Sequence, residues 1–203
     1  PFGYWGWFPE NIPYLIIFDD FGTPVFYRKL TGHGYDLKKH SNGKISHFLN
    51  NWPNSFINVL DSSYNVTDIY TMQNGYSTDF HEFLMLPNGH VVIEGYDPQI
   101  VDMSQIVPGG NPEAVVSGWI IQELDVDKNV VFQWRSWDHF DITDAVGIDL
   151  TASNIDPIHG NAIEPYTDDY FLLSTKNLNE ITKISRNTGE IIWRLEGKNN
   201  MFE

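Results

Sequence analysis

Three histidines and one lysine set the chemistry open to this chain. His81 stands in Thr78-Asp79-Phe80-His81-Glu82-Phe83 and His139 in Trp137-Asp138-His139-Phe140. His159 stands in Asp156-Pro157-Ile158-His159-Gly160-Asn161, and Lys176 in Ser174-Thr175-Lys176-Asn177. Imidazole gives and takes protons near neutral pH, which suits general acid–base work. It can also attack as a nucleophile and split one transfer into two easier steps. Cations and imidazoles fixed in a water-poor pocket stabilise an anion. The plainer reading is that a histidine at a strand start bonds backbone groups where hairpins meet. His139 fits loop packing better than chemistry. His33, His40, His47 and His90 read as surface or turn residues.

The elements that would position these residues repeat along the chain. Segments 14–27, 56–70, 119–134 and 180–193 share one design: an apolar run, a polar turn, then a second apolar run ending in Tyr or Trp. Gly22, Asn65, Asn129 and Gly189 occupy the matching turn position, where positive φ is tolerated at low cost. Asp19, Asp61 and Asp125 follow the first run of three of them. Hairpins of a second kind lie between: 35–48, 80–94 and 161–174, turning at Ser41-Asn42-Gly43, Pro87-Asn88-Gly89 and Thr167-Asp168-Asp169. This alternation predicts an all-β chain: a β-propeller of about three and a half four-stranded blades. The half blade is 14–27, and the blades are 33–70, 80–136 and 159–195. A β-sandwich of similar strand count is the alternative.

Two insertions interrupt the pattern, 97–118 and 137–158. In an up-and-down blade both hairpin turns lie on one face, and the links between hairpins and between blades lie on the other. Both insertions are links. His81, His139, His159 and Lys176 sit in or beside links, so topology gathers them on one face, where the insertions should wall a pocket.

Composition narrows the partners. The 203 residues carry 27 acids against 12 bases, a net charge of −15. Nucleic acid and anionic membrane surfaces are poor partners for such a chain. An anionic small molecule would need a local basic pocket against the global field. There is no cysteine, so disulfides, thiolate metal sites and cysteine nucleophiles drop out. No apolar run reaches membrane-spanning length. Asp125-Val126-Asp127-Lys128-Asn129 resembles the start of a calcium loop but lacks the required Gly and distal Glu. A solvated turn fits it better, and no metal is expected. The chain begins at Pro1 with no initiator Met, as a processed or partial chain does.

The order of these motifs resembles the arylsulfotransferase family. Asp79-x-His81 before Leu86-Pro87-Asn88-Gly89 is similar to one family pattern, and His159-x-Asn161 is similar to another. Trp193-Arg194-Leu195-Glu196-Gly197 resembles its blade end, and Lys176 falls where the family usually has arginine. The resemblance implies a six-bladed propeller, a periplasmic or secreted location, and no cofactor. It implies transfer of a sulfuryl group from a small aryl sulfate to a phenol, through a covalent histidine intermediate. His81, His159 and Lys176 would be catalytic, with Asn161, Trp137 and His139 lining the substrate. The nucleophilic histidine is expected beyond Glu203, with the closing blades. An open ring would leave blade faces bare and promote self-association. Two other functions stay open: a ligand-binding propeller without catalysis, and a quinone-dependent dehydrogenase, whose blade ends Thr188-Gly189-Glu190-Ile191-Ile192-Trp193 also resembles.

Overall fold

A computed structural model describes residues 13–51 and 54–203. Among these, regular structure is all-β apart from short 3₁₀ turns. Strands β1 (Tyr14–Phe18) and β2 (Pro24–Lys29) form a hairpin. A second sheet holds β3 (His33–Lys39), β4 (Ile45–Asn50), β5 (Phe56–Leu60) and β6 (Val66–Tyr70). A third holds β7 (Ser77–Met85), β8 (Val91–Val101), β9 (Ala114–Leu124) and β10 (Val130–Arg135). The short β11 (Asn154–Ile155) adds to it in parallel beside β9. The last sheet holds β12 (Gly160–Pro165), β13 (Tyr170–Thr175), β14 (Glu180–Ser185) and β15 (Ile191–Glu196). Within each four-stranded path the strands pair in chain order with no crossover.

The repeated turns have a common cause. Asp19 Oδ1 accepts hydrogen bonds from the backbone N–H of Phe21 and Thr23. Asp61 does the same for Ser63 and Asn65, and Asp125 for Asp127 and Asn129. An aspartate that caps its own turn makes the hairpin local and self-contained. This corrects one reading. The left-handed residue is the third after each Asp: Gly22, Tyr64 and Lys128, with φ of 80°, 63° and 66°. Asn65 and Asn129 instead donate side-chain N–H groups back to the Asp. Asp125 spends its carboxylate on the turn, as the solvated-turn reading expected.

The sheets stack face to face in sequence order. Leu15 and Leu30 of the first hairpin pack with Leu49. Phe48, Ile57 and Val59 of the second sheet pack against Phe83, Val91, Ile93, Ile120 and Leu124 of the third. The opposite face of that third sheet presents Val92, Trp119, Ile121 and Trp134 to Ile163, Phe171, Leu173 and Ile184 of the last. Strands β8 and β9 are thus buried on both faces, which is why Val91-Val92-Ile93 and Trp119-Ile120-Ile121 read as unbroken apolar runs. The first strands of the three large sheets also meet: β7 touches both β3 and β12.

The insertion predicted over 97–118 begins and ends as ladder. Strand β8 continues to Val101 and β9 begins at Ala114, pairing Asp97 with Gly118 and Val101 with Ala114. Pro98 fits there because β7 ends its pairing at Tyr96, which leaves β8 an edge on that side. Met103, Ala114, Val116 and Ile155 then form a small core with Trp137, Ile142, Ile148 and Leu150. The two insertions therefore pack on each other. Trp137 donates from Nε1 to the Asp97 carbonyl at 2.9 Å and lies flat over Gly118, where a Cβ would sit 2.1 Å from that nitrogen.

His40 makes stability depend on pH. It is buried between the second and third sheets, with Nε2 2.7 Å from Ser46 Oγ and its ring edge-on to Phe83. Burial, then the nearby Lys38 charge, lowers its pKa to about 4. Burial also lowers that of His47. The unfolded chain takes up these protons first, so stability is full above an ordinary histidine pKa and declines as pH falls toward about 4. His40 alone should cost at most about 2 kcal/mol between neutral pH and about pH 5. Thermal melts at the two pH values check this. His40→Gln should shrink the difference, and an undiminished difference would assign it elsewhere.

Candidate functional site

Bulges in the first strands aim the candidate residues. Register shifts fall between Tyr35 and Lys38 in β3, between Thr78 and Phe83 in β7, and between Gly160 and Ala162 in β12. A bulge bends its strand and re-aims side chains. The largest is in β7, where Asp79, Phe80, His81 and Glu82 together face the single residue Glu94 of β8. That mismatch folds Asp79 inward and lifts His81 toward β12.

His81 and His159 meet edge to face, with ring centroids 5.2 Å apart and planes at 73°. Each is held by an aspartate. His81 Nδ1 lies 2.7 Å from Asp79 Oδ2, and His159 Nδ1 lies 2.7 Å from Asp156 Oδ2. A carboxylate only accepts, so the proton sits on each Nδ1 and each Nε2 is left for a ligand. Asp156 Oδ1 also accepts from the His159 backbone N–H at 2.9 Å. That capped turn holds His159 in the left-handed region, φ 49°, a strained conformation of the sort that clusters at functional sites. Phe80 also stacks on His81, centroid to centroid 4.2 Å.

Beneath the pair lies a buried polar layer. Asp79 and Glu94 are both buried, and Trp119 donates from Nε1 to Glu94 Oε2 at 2.7 Å. Burial, then the charge of Asp79, raises the pKa of Glu94 well above the usual carboxyl range. The same two causes raise that of the Tyr96 hydroxyl. Trp119 also supports the other histidine. Its ring lies against Gly160, where an added Cβ would sit 2.0 Å from the indole. Trp119 thus joins Glu94, in the layer under His81, to Gly160, the neighbour of His159.

The other candidates divide. Lys176 is exposed, and its backbone N–H donates to the His159 carbonyl at 3.0 Å, so the two residues are neighbours across the β12–β13 pair. Asn161 is exposed at the start of β12, and it is Asp156 that orients His159. Asn177 braces that loop, donating from Nδ2 to the Asp156 carbonyl at 2.6 Å. Trp137 and His139 serve packing. Trp137 is committed to Asp97 and Gly118, and His139 stacks on Trp134 at 4.9 Å and 5°. Two arginines that could offer the planar fork a lysine lacks are both paired. Arg135 pairs with Asp97 at 2.6 Å, and Arg194 pairs with Glu180 and Asp144. Sequence reasoning missed Glu94, Tyr96 and Trp119, which lie in apolar-looking strands. Asp79 and Asp156 carried a signal, an acid two or three residues before a histidine.

Comparison with known proteins now bears on this arrangement. The family model described as arylsulfotransferase (ASST) matches residues 33–203. The chain belongs to the arylsulfotransferase family. The match spans the three large sheets and both aspartate-held histidines. No curated protein matches this arylsulfotransferase-family chain. A crystal structure of a protein of unknown function from Bacteroides caccae is similar in fold, with a TM-score of 0.51 at 12% identity. The alignment covers 87% of this chain and 51% of that one, so this chain spans about half its length. Membership supports sulfotransferase-like function at the level of the family. Among the described residues no helix is long and apolar enough to cross a membrane.

Proposed function

We propose that this chain forms about three and a half blades of a β-propeller that transfers a sulfuryl group from an aryl sulfate to a phenol. The chain-order sheets, stacked face to face with their first strands in contact, support the propeller. One observation carries the site: two imidazoles from adjacent sheets, each fixed through Nδ1 by a carboxylate, meet edge to face.

Sulfuryl transfer spreads negative charge over the sulfur oxygens and the departing phenolic oxygen. Each ring gains a proton at Nε2 with the bound anion, so that His81 and His159 donate to the sulfuryl oxygens, and Lys176 neutralises part of the charge. A histidine beyond Glu203 in the whole protein is the nucleophile. Its ring nitrogen bonds to sulfur as the sulfur–oxygen bond to the aryl group breaks, and the phenolate takes a proton. The acceptor phenol then gives its proton to a base, its oxygen attacks sulfur, and the nitrogen–sulfur bond breaks. Trp137 and His139 act through the loop they pin. A periplasmic or secreted location belongs to the same proposal.

The exposed Lys176 favours a second reading, a propeller that binds anionic ligands without turnover. A lysine offers a point charge where arginine would offer a planar fork. Lys176→Arg in the whole protein tests this, with 4-nitrophenyl sulfate as donor, phenol as acceptor and phenolate absorbance as the signal. Turnover should be kept or raised. A variant slower than wild type would remove Lys176 from the anion site.

A further inference from the structure

Asp79 and Glu94 face each other in the buried layer under His81, and each keeps one oxygen without a partner: Asp79 Oδ1 and Glu94 Oε1. Their other oxygens are engaged, Asp79 Oδ2 by His81 Nδ1 and Glu94 Oε2 by Trp119 Nε1. Ligand-type atoms of Asp79, His81 and Glu94 lie within 4.8 Å of one another. Lys38 of β3, whose charge reaches Glu94, is occupied by Glu82 and Asp36. Two ionised carboxylates this close in a dry site do not both persist; one takes a proton. A divalent cation would be the other remedy. A cation on the two free oxygens would need His81 Nε2 as its third ligand, the atom the proposed substrate site uses, whereas a proton needs only the two oxygens.

We propose that Glu94 is a positioning residue for His81: it keeps a proton on Oε1 and donates it to Asp79 Oδ1, so that Asp79 stays the anion that fixes the His81 ring. One proton then satisfies both orphaned oxygens. The His81 ring is held as the Nδ1–H tautomer with Nε2 bare. The groups facing this pair favour the shared proton. Asp36 on β3, whose pKa burial raises, adds no positive charge, and the Tyr96 hydroxyl on β8, hydrogen-bonded to Asp79, favours Asp79 as the anion. The Lys38 charge opposes a proton on Glu94 but is spent on Glu82 and Asp36. Asp156 adds negative charge from the link before β12, where it holds His159. The tautomer does not depend on any activity; only its effect on turnover rests on the proposed sulfuryl transfer.

The test is the long-range ¹H–¹⁵N spectrum of the histidine rings in the whole protein at neutral pH. Wild type should show His81 protonated at Nδ1 and bare at Nε2. Glu94→Gln should keep that pattern, because its amide oxygen accepts from Trp119 while its N–H donates to Asp79. Glu94→Leu should mix the tautomers. Phenolate release should stay within about threefold in Glu94→Gln and fall about tenfold or more in Glu94→Leu, the size of effect seen when an outer partner of a functional histidine is lost. If Glu94→Leu does not fold, wild type and Glu94→Gln still decide. A His81 proton on Nε2, a Glu94→Gln spectrum unlike wild type, or one divalent metal per purified chain would overturn the proposal. The expected tautomers without phenolate release would uphold the positioning and sink the transfer reading.

Discussion

His159→Ala lowers sulfuryl transfer by about 100-fold or more, the loss that follows removal of one fixed donor to a developing anion. His159 has no understudy. Its Nδ1 is tied to Asp156, its backbone is strained to φ 49°, and its ring meets His81 at 5.2 Å. The loss should fall on kcat more than on KM, because the contact strengthens as negative charge builds on the sulfur oxygens and the departing aryl oxygen. Fold should be kept, since the ring is partly exposed and contributes little to the core. A variant with wild-type kcat would show that His159 only closes a turn.

Trp119→Ala destabilises the chain by about 4 kcal/mol, as for a large aromatic removed from a packed core. Trp119 lies buried between the third and last sheets, edge-on to Trp134 and in contact with Gly160. Truncation also strips Glu94 Oε2 of its donor inside the core. A loss of that size is a large share of the roughly 5–15 kcal/mol that holds a domain together. For a chain of this length it should lower Tm by about 10 °C. Trp119→Phe should recover most of the packing but not the bond to Glu94. An alanine variant melting with wild type would mean that the two sheets do not rely on this ring.

The legible part of the fold was what local chemistry dictates. Asp19, Asp61 and Asp125 each cap their own turn, so hairpins could be read from short windows. The unbroken apolar runs of β8 and β9 marked strands buried on both faces. The ladder at the two ends of 97–118 was missed because Pro98 looks like loop, whereas an edge ladder tolerates a missing N–H. His81 and His159 were legible through hairpin alternation, which puts strand starts on one face. Glu94 was not. Its burial follows from the β7 bulge, which sets four residues opposite one, and no short window reveals a register shift between strands. Trp137 and His139 were read beside the site because they sit in a link on its face; in the structure Trp137 bonds Asp97 and His139 stacks on Trp134 of β10.

The central claim is that two aspartate-held imidazoles work on a sulfuryl group. The most direct measurement is release of 4-nitrophenolate from 4-nitrophenyl sulfate by the whole wild-type protein, with and without phenol. Release should depend on the phenol and be lost in His81→Ala and His159→Ala alike. No release with any phenolic acceptor would contradict it and leave a propeller that binds anions without transferring them.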